Sequence, residues 1–207
     1  MDETLNHKFN GAGSVVLGRI KEVYPQWFGA VGDDTVDCTD AINKALASIV
    51  RGQIFFIKGN YKTTSTILVP KMITMKGVGN VAGIDPAVTS GSTIHGVHTG
   101  AAVISLKGAL VNCLEDISIW GDATTTPKTG LLLGRSSGAS AGRHFFKNIN
   151  ISGHFTVAAI YSIASEENSW YGLLANVLGG GAKYTLYSSD ADNLSVDSLV
   201  TSSNFDS

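Results

Sequence analysis

The chain has 207 residues, 43% of them hydrophobic, which suffices for one core and one domain. A formal net charge of −2 and a pI near 6.2 argue against nucleic-acid binding, which needs a basic face. No apolar run approaches the roughly 20 residues of a membrane helix, and no h-region follows the acidic start Met1-Asp2-Glu3, so neither membrane insertion nor a signal peptide is expected.

Residues 1–22 are polar, with Gly11-Ala12-Gly13-Ser14 ahead of Val15-Val16-Leu17. They read as a linker or attachment segment, or else as a first strand over a helix end. Gly29 and Gly32 around Ala30-Val31, followed by Asp33-Asp34, are turn chemistry. A helix is predicted over Cys38–Val50, with Asp37 as N-cap, Asp40 near its positive end and Gly52 ending it. Ala41, Ile42, Ala45, Leu46 and Ile49 give it one apolar face. Ile54–Ile57, Thr66–Val69 and Ile73–Met75 are short β-rich runs.

The stretch Phe28-Gly29-Ala30-Val31-Gly32-Asp33, with Asp37, Thr39, Ala41, Ile42, Ala45 and Leu46, then Gly59-x-Tyr61 and Ile73–Gly79, resembles one known pattern. It is the N-terminal entry of the pectate-lyase-superfamily right-handed parallel β-helix, in the version found at the head of bacteriophage tailspikes. Asp34 stands where that family usually has glycine, and Ile57-Lys58 where it has two prolines. The resemblance covers about a quarter of the chain closely. It implies an all-β, single-stranded right-handed parallel β-helix over residues 23–207 with one N-terminal capping α-helix.

Beyond residue 79 an imperfect repeat supports this. Leu114–Gly121 aligns with Phe146–Gly153, then with Gly172–Gly179 and more weakly with Leu194-Ser195-Val196. Gly130–Gly134, Ala158–Ser162 and Thr185–Ser188 keep step as a second set. Each copy carries inward residues two apart that it cannot bury alone, so coil must stack on coil, with Ile117, Ile149, Ala175 and Leu194 in one expected column. The helix would lid the first coil's open edge. No matching lid follows the last repeat, so the domain is expected to be truncated at its C-terminal end or capped by another subunit. Cys38 and Cys113 lack metal spacing and are expected as buried free thiols.

Asp33, Asp34, Asp37 and Asp40 form the densest acidic cluster. Oxygen ligands at such spacing suit Ca²⁺, but turn and N-cap positions call for the same residues, and the expectation is no metal and no cofactor. Glu166, Glu167, Asp190 and Asp192 follow successive strands of the second set. With coils about 4.8 Å apart, their turns would bring carboxylates together, as glycoside hydrolysis needs. Trp170, Tyr161 and Tyr187 are candidate sugar-stacking rings. Arg135 and Arg143 bracket a Ser/Gly-rich loop and would grip an anionic sugar through their guanidinium forks. The bland reading is that the acids are solvated turn residues and Trp170 is core. His95-Gly96-Val97-His98 lacks a third zinc ligand nearby, and Gly77-Val78-Gly79 precedes no helix that would bind phosphate.

The resemblance implies a homotrimeric phage receptor-binding protein, made in the host cytoplasm and carried on the virion tail beside other tail proteins. Such a protein recognises and depolymerises a bacterial surface polysaccharide, with hydrolase chemistry favoured over lyase. The alternatives are a non-enzymatic structural or adhesin segment, and a cellular polysaccharide lyase or epimerase.

Overall fold

Segments that are apolar on one face only must stack to bury it. The computed structural model does so as a right-handed parallel β-helix. It describes residues 8–9, 13–17, 20–79, 91–135, 141–163, 165, 168–182, 184–189, 194–196 and 199–203. Strand β1 (Glu22–Val23) and helix α1 (Thr39–Ala47) come first. One coil holds β2 (Gly52–Phe55), β3 (Gly59–Thr63) and β4 (Ile67–Leu68), and the next holds β5 (Ile73–Lys76), β6 (Ser92–Gly96) and β7 (Ile104–Ser105). Then β8 (Cys113–Gly121) leads to β9 (Thr129–Gly134), β10 (Phe145–Gly153) to β11 (Ala158–Ile163), and β12 (Asn168–Val177) to β13 (Tyr184–Ser189). Strands β14 (Leu194–Val196) and β15 (Leu199–Ser203) follow. All pairings among these strands are parallel.

The path that β2 and β3 take as two strands is one long strand in β8, β10 and β12, bent at Asp116, Asn148 and Gly172. These three have φ of 54°, 52° and 66°, a left-handed backbone that Gly, Asn and Asp tolerate best. Asn148 Nδ2 donates to Asp116 Oδ1 at 2.8 Å, linking the bends of neighbouring coils. The bend makes two faces from one strand; β4, β7, β9, β11 and β13 make the third.

Inside, Val23, Ile54, Met75, Leu114, Phe146 and Trp170 form one buried column. Ile67, Ile104, Leu131, Ile160 and Leu186 form another on the third face. The repeat expectation needs one correction. Leu173, not Ala175, stacks on Ile117 and Ile149, while Ala175 stacks on Ile119 and Ile151. Leu194 pairs with Asn168, and Leu199 follows Leu173. A two-residue slip keeps the same face inward, so alternation alone cannot detect it.

Helix α1 is shorter than the spacing predicts. Cys38 holds the N-cap backbone position, and Asp37, one residue further out, accepts from Thr39 N at 2.9 Å and Thr39 Oγ1 at 2.6 Å. Ser48 closes the other end by donating to the Ala45 carbonyl, and Gly52, at φ 140°, opens β2 instead. Ala41, Ile42, Ala45 and Leu46 belong to the same buried cluster as Ile54 and Ile67, so α1 covers the end of the first coil. Cys38 and Cys113 are free thiols, the first buried and the second half-buried.

The closing glycines of the repeat have a backbone reason. A Cβ on Gly121 would lie 2.3 Å from the His154 carbonyl oxygen, and Gly153, at φ 114°, would put one 2.4 Å from that of Gly121.

Candidate functional site

On the third face every second residue points away from the core. That outer row runs Leu68, Ser105, Leu132, Tyr161, Tyr187 in strict register. The Tyr161 and Tyr187 rings lie 5.1 Å apart at 47°, and Tyr187 stacks on the exposed Tyr184 at 5.0 Å and 28°. The structure therefore brings two predicted ledge residues together and adds Tyr184, whose strand position the aligned repeat did not include. The predicted carboxylates Glu166, Glu167, Asp190 and Asp192 lie outside the described residues. The strands ahead of them, β11 and β13, run in register to Ile163 and Ser189. Arg135 N donates to the Ile163 carbonyl at 3.0 Å, which puts exposed Arg135 at the edge where the chain leaves β11. Exposed Arg143, at φ 56°, precedes β10.

Trp170 does not join this ledge. It is 1% exposed and stacks face to face on Phe146, with centroids 3.9 Å apart and 15° between planes. Its place is the core position of Leu114 and Phe146, because β12 begins at Asn168 rather than at the predicted Gly172.

Two polar clusters elsewhere escaped the sequence reading. His95 Nδ1 lies 2.6 Å from Asp34 Oδ1, and its other nitrogen faces Asp122 Oδ2 at 3.7 Å. That Nε2 is buried and has no hydrogen-bond partner, so it is closed to a substrate. Asp122 is partly desolvated, which pushes its pKa up, but donors from Thr125 and Thr124 outweigh this and hold it below the usual value. The second cluster, on the face of β5, β8 and β10, joins Lys76, Glu115 and Lys147. Lys147 Nζ and Lys76 Nζ lie 2.8 and 3.2 Å from Glu115. The Lys147 hydrogen bond is the main reason its carboxyl is held low, against the opposing effect of burial. Lys76 and Glu115 lie 39 positions apart, and only the coil register joins them. Among the described residues no group of three His, Cys, Asp or Glu side chains is placed to hold a metal ion.

A family model described as rhamnogalacturonase A/epimerase, pectate lyase-like, matches residues 26–202. The chain belongs to this pectate lyase-like family. Part of it is 28% identical, over 102 residues, to a capsule K30/K69-specific depolymerase of Klebsiella phage K64-1, covering 48% of this chain and 13% of that protein. Among solved structures, ORF18 of Geobacillus virus E2 is similar with a TM-score of 0.60 at 20% identity, over 75% of this chain and 30% of that one. The tailspike gp49 of Acinetobacter baumannii phage Fri1, a capsular polysaccharide depolymerase, is similar with a TM-score of 0.56 at 12% identity, over 84% and 40%. At these identities the structural likenesses show the shared β-helix alone. The chain spans well under two thirds of the length of each of these relatives.

Proposed function

We propose that this chain is part of a phage tailspike-like receptor-binding protein that recognises a bacterial surface polysaccharide and depolymerises it. The observation that carries the reading is the Tyr161–Tyr187 ring pair on the outer face, with centroids 5.1 Å apart and planes tilted by 47°. It stands beside the edge from which the segments bearing Glu166, Glu167, Asp190 and Asp192 depart. The tyrosines present apolar faces and hydroxyls to a sugar. One carboxyl would protonate the leaving oxygen while the other acts as base or nucleophile. Sequence likeness to a phage capsule depolymerase supports the same reading. The protein acts as a homotrimer on the virion tail, beside other tail proteins.

The test is incubation of the full chain with a panel of capsular and O-antigen polysaccharides. Release of reducing ends, abolished by Glu166→Gln or Asp192→Asn, is the expected result. An unsaturated, ultraviolet-absorbing product would replace hydrolysis by lyase chemistry. Neither binding nor cleavage of any glycan would sink the reading. Light scattering should give three times the 21.7 kDa chain mass.

A further inference from the structure

The N-terminal end of the β-helix is closed by α1 together with the segment that precedes β1. Lys8 N and Phe9 N both donate to the Trp27 carbonyl at 2.9 Å, and Leu17 N donates to the Ser48 carbonyl at 2.9 Å. One anchor lies on the short turn Pro25–Phe28, the other at the end of α1. Residues 13–15, between these anchors, border a cavity of about 250 Å³ that Lys8, Phe9, Phe28 and Lys44 complete.

The lining is divided by chemistry. Phe28 is buried, and its ring centre lies 5.0 Å from that of the half-buried Phe9, with the planes tilted by 37°. Val15 is half-buried beside them, whereas both lysines are exposed. Apolar groups therefore form the floor and ammonium groups the rim. Lys8 Nζ lies 4.8 Å from the centre of the Trp27 ring, a cation–π contact that holds the ammonium in place. An ammonium carries three donors, so one side facing a ring leaves others to meet an oxygen acceptor. Lys44 stands in the last turn of α1, where the carbonyl end of a helix favours positive charge. Among the described residues no Asp or Glu lines the cavity.

The complement of such a lining is one negative charge carried on an apolar body. An apolar cavity of about 150 Å³ already takes a benzene ring. At about 250 Å³ there is room for one ring and a carboxylate on a short arm. A bare inorganic anion would bury none of the aromatic floor and gain nothing from it.

We propose that the cavity between the N-terminal segment and α1 binds a small aromatic carboxylate, at the opposite functional pole from the Tyr161–Tyr187 ledge on β11 and β13. The ligand's ring packs on Phe9, Phe28 and Val15. Its carboxylate accepts from the Lys8 ammonium, and Lys44 supplies a second positive charge. A free acid and the aromatic C-terminal residue of a peptide offer the same chemistry. The site makes no use of the carboxylates in the proposed function and is tested without them.

The experiment is a ligand-observed NMR titration of the full 207-residue chain with hydrocinnamate and with its neutral amide, hydrocinnamamide. The acid is expected to bind with millimolar affinity, as suits a ligand of so few atoms. The amide should bind at least about tenfold more weakly, because the charge-assisted hydrogen bond is lost. Lys8→Met keeps an apolar stem on Trp27 and should weaken the acid about tenfold, while Lys8→Arg, which keeps the charge, should retain it. Lys44→Met should weaken it about threefold, since a second nearby charge acts through screened attraction. Lys128→Met removes the same charge from an exposed site on a later coil and should change nothing. All four side chains replaced are exposed lysines, so folding should persist, and thermal melts check it. Acetyl-glycyl-phenylalanine separates the two sources: tighter binding than hydrocinnamate assigns the cavity to a chain end, weaker binding to a free acid.

The proposal is overturned if the acid does not bind, if acid and amide bind equally, or if Lys8→Met leaves the affinity intact. An equal loss in Lys128→Met would reduce the effect to net charge and overturn it. Displacement of the acid by an equal concentration of inorganic sulfate would show that the rings contribute nothing and overturn it too. Depolymerisation through Glu166 and Asp192 is read separately, so failure here leaves the proposed function standing.

Discussion

Asp34 Oδ1 lies 2.6 Å from His95 Nδ1, and Asp34 holds a left-handed backbone at φ 61°. A non-glycine residue in that conformation costs roughly 1–2 kcal/mol, and a charge-assisted hydrogen bond returns about 1.5–3 kcal/mol. The aspartate is therefore held in this conformation because His95 reaches it from β6, two layers along the helix. Asp34→Gly should lose the contact and relieve the strain, costing about 1 kcal/mol or less. His95→Gln should lose the contact and keep the strain, costing about 2 kcal/mol. Chemical denaturation of both variants and the double variant checks this. A double variant whose cost equals the sum of the singles would show that the two side chains do not interact.

Val111 is another non-glycine residue in the left-handed region, at φ 56°, aligned in its corner with Met72 at 61° and Arg143 at 56°. A β-branched side chain fits this conformation poorly, and at 57% exposure Val111 gains little from packing. Val111→Asn keeps the backbone amide that donates to the Gly142 carbonyl and adopts the conformation at lower cost. It should stabilise the fold by about 1 kcal/mol, which raises Tm by roughly 2–4 °C in a domain of this size. A melting curve that is unchanged or shifted downwards would contradict this account of the corner.

Both thiols should be slow nucleophiles. Burial pushes Cys38 and Cys113 up to about 11, with nearby carboxylates adding to the effect. At neutral pH almost no thiolate is present, and the thiolate is the reactive form. Alkylation of the native chain by iodoacetamide should proceed far more slowly than after unfolding in urea, with Cys113 modified before the fully enclosed Cys38. Fast native labelling of Cys38 would mean that α1 opens readily from the first coil.

The inward columns were legible because alternation has a period of two and each coil repeats it, as Leu114 and Phe146 show by pairing as aligned. The third repeat slipped because Leu173 and Ala175 are equally good inward residues two apart, and only the full register separates them. That slip carried Trp170 out of the core, where a flat ring on Phe146 fills the column. The outer clusters were not legible at all. His95 meets Asp34 across 61 positions and Glu115 meets Lys147 across 32, distances at which no local pattern operates. Tyr161 and Tyr187 were found because the strands that carry them repeat cleanly.

The corner before β10 gives a pH-dependent prediction. Ile73 N donates to Asn112 Oδ1, Asn112 N to His144 Nδ1, and His144 N to Asn168 Oδ1, so each coil's side chain satisfies the amide of its neighbour. His144 is 1% exposed, and burial lowers its pKa from 6.5 to about 4. Above pH 6.5 the ring is neutral in both folded and unfolded chains, and its contribution to stability is fully present. Between pH 6.5 and 4 the unfolded chain takes up a proton that the folded chain refuses, so stability falls with pH and levels off below about 4. A shift of this size corresponds to roughly 3 kcal/mol. His144→Asn places the ladder's own amide at the same position, keeps an acceptor for Asn112 N and removes the titration. The variant should therefore lose less stability than the wild type between pH 7 and pH 4, whatever its offset at neutral pH. Parallel acid slopes for the two proteins in urea titrations would show that His144 does not carry the acid sensitivity.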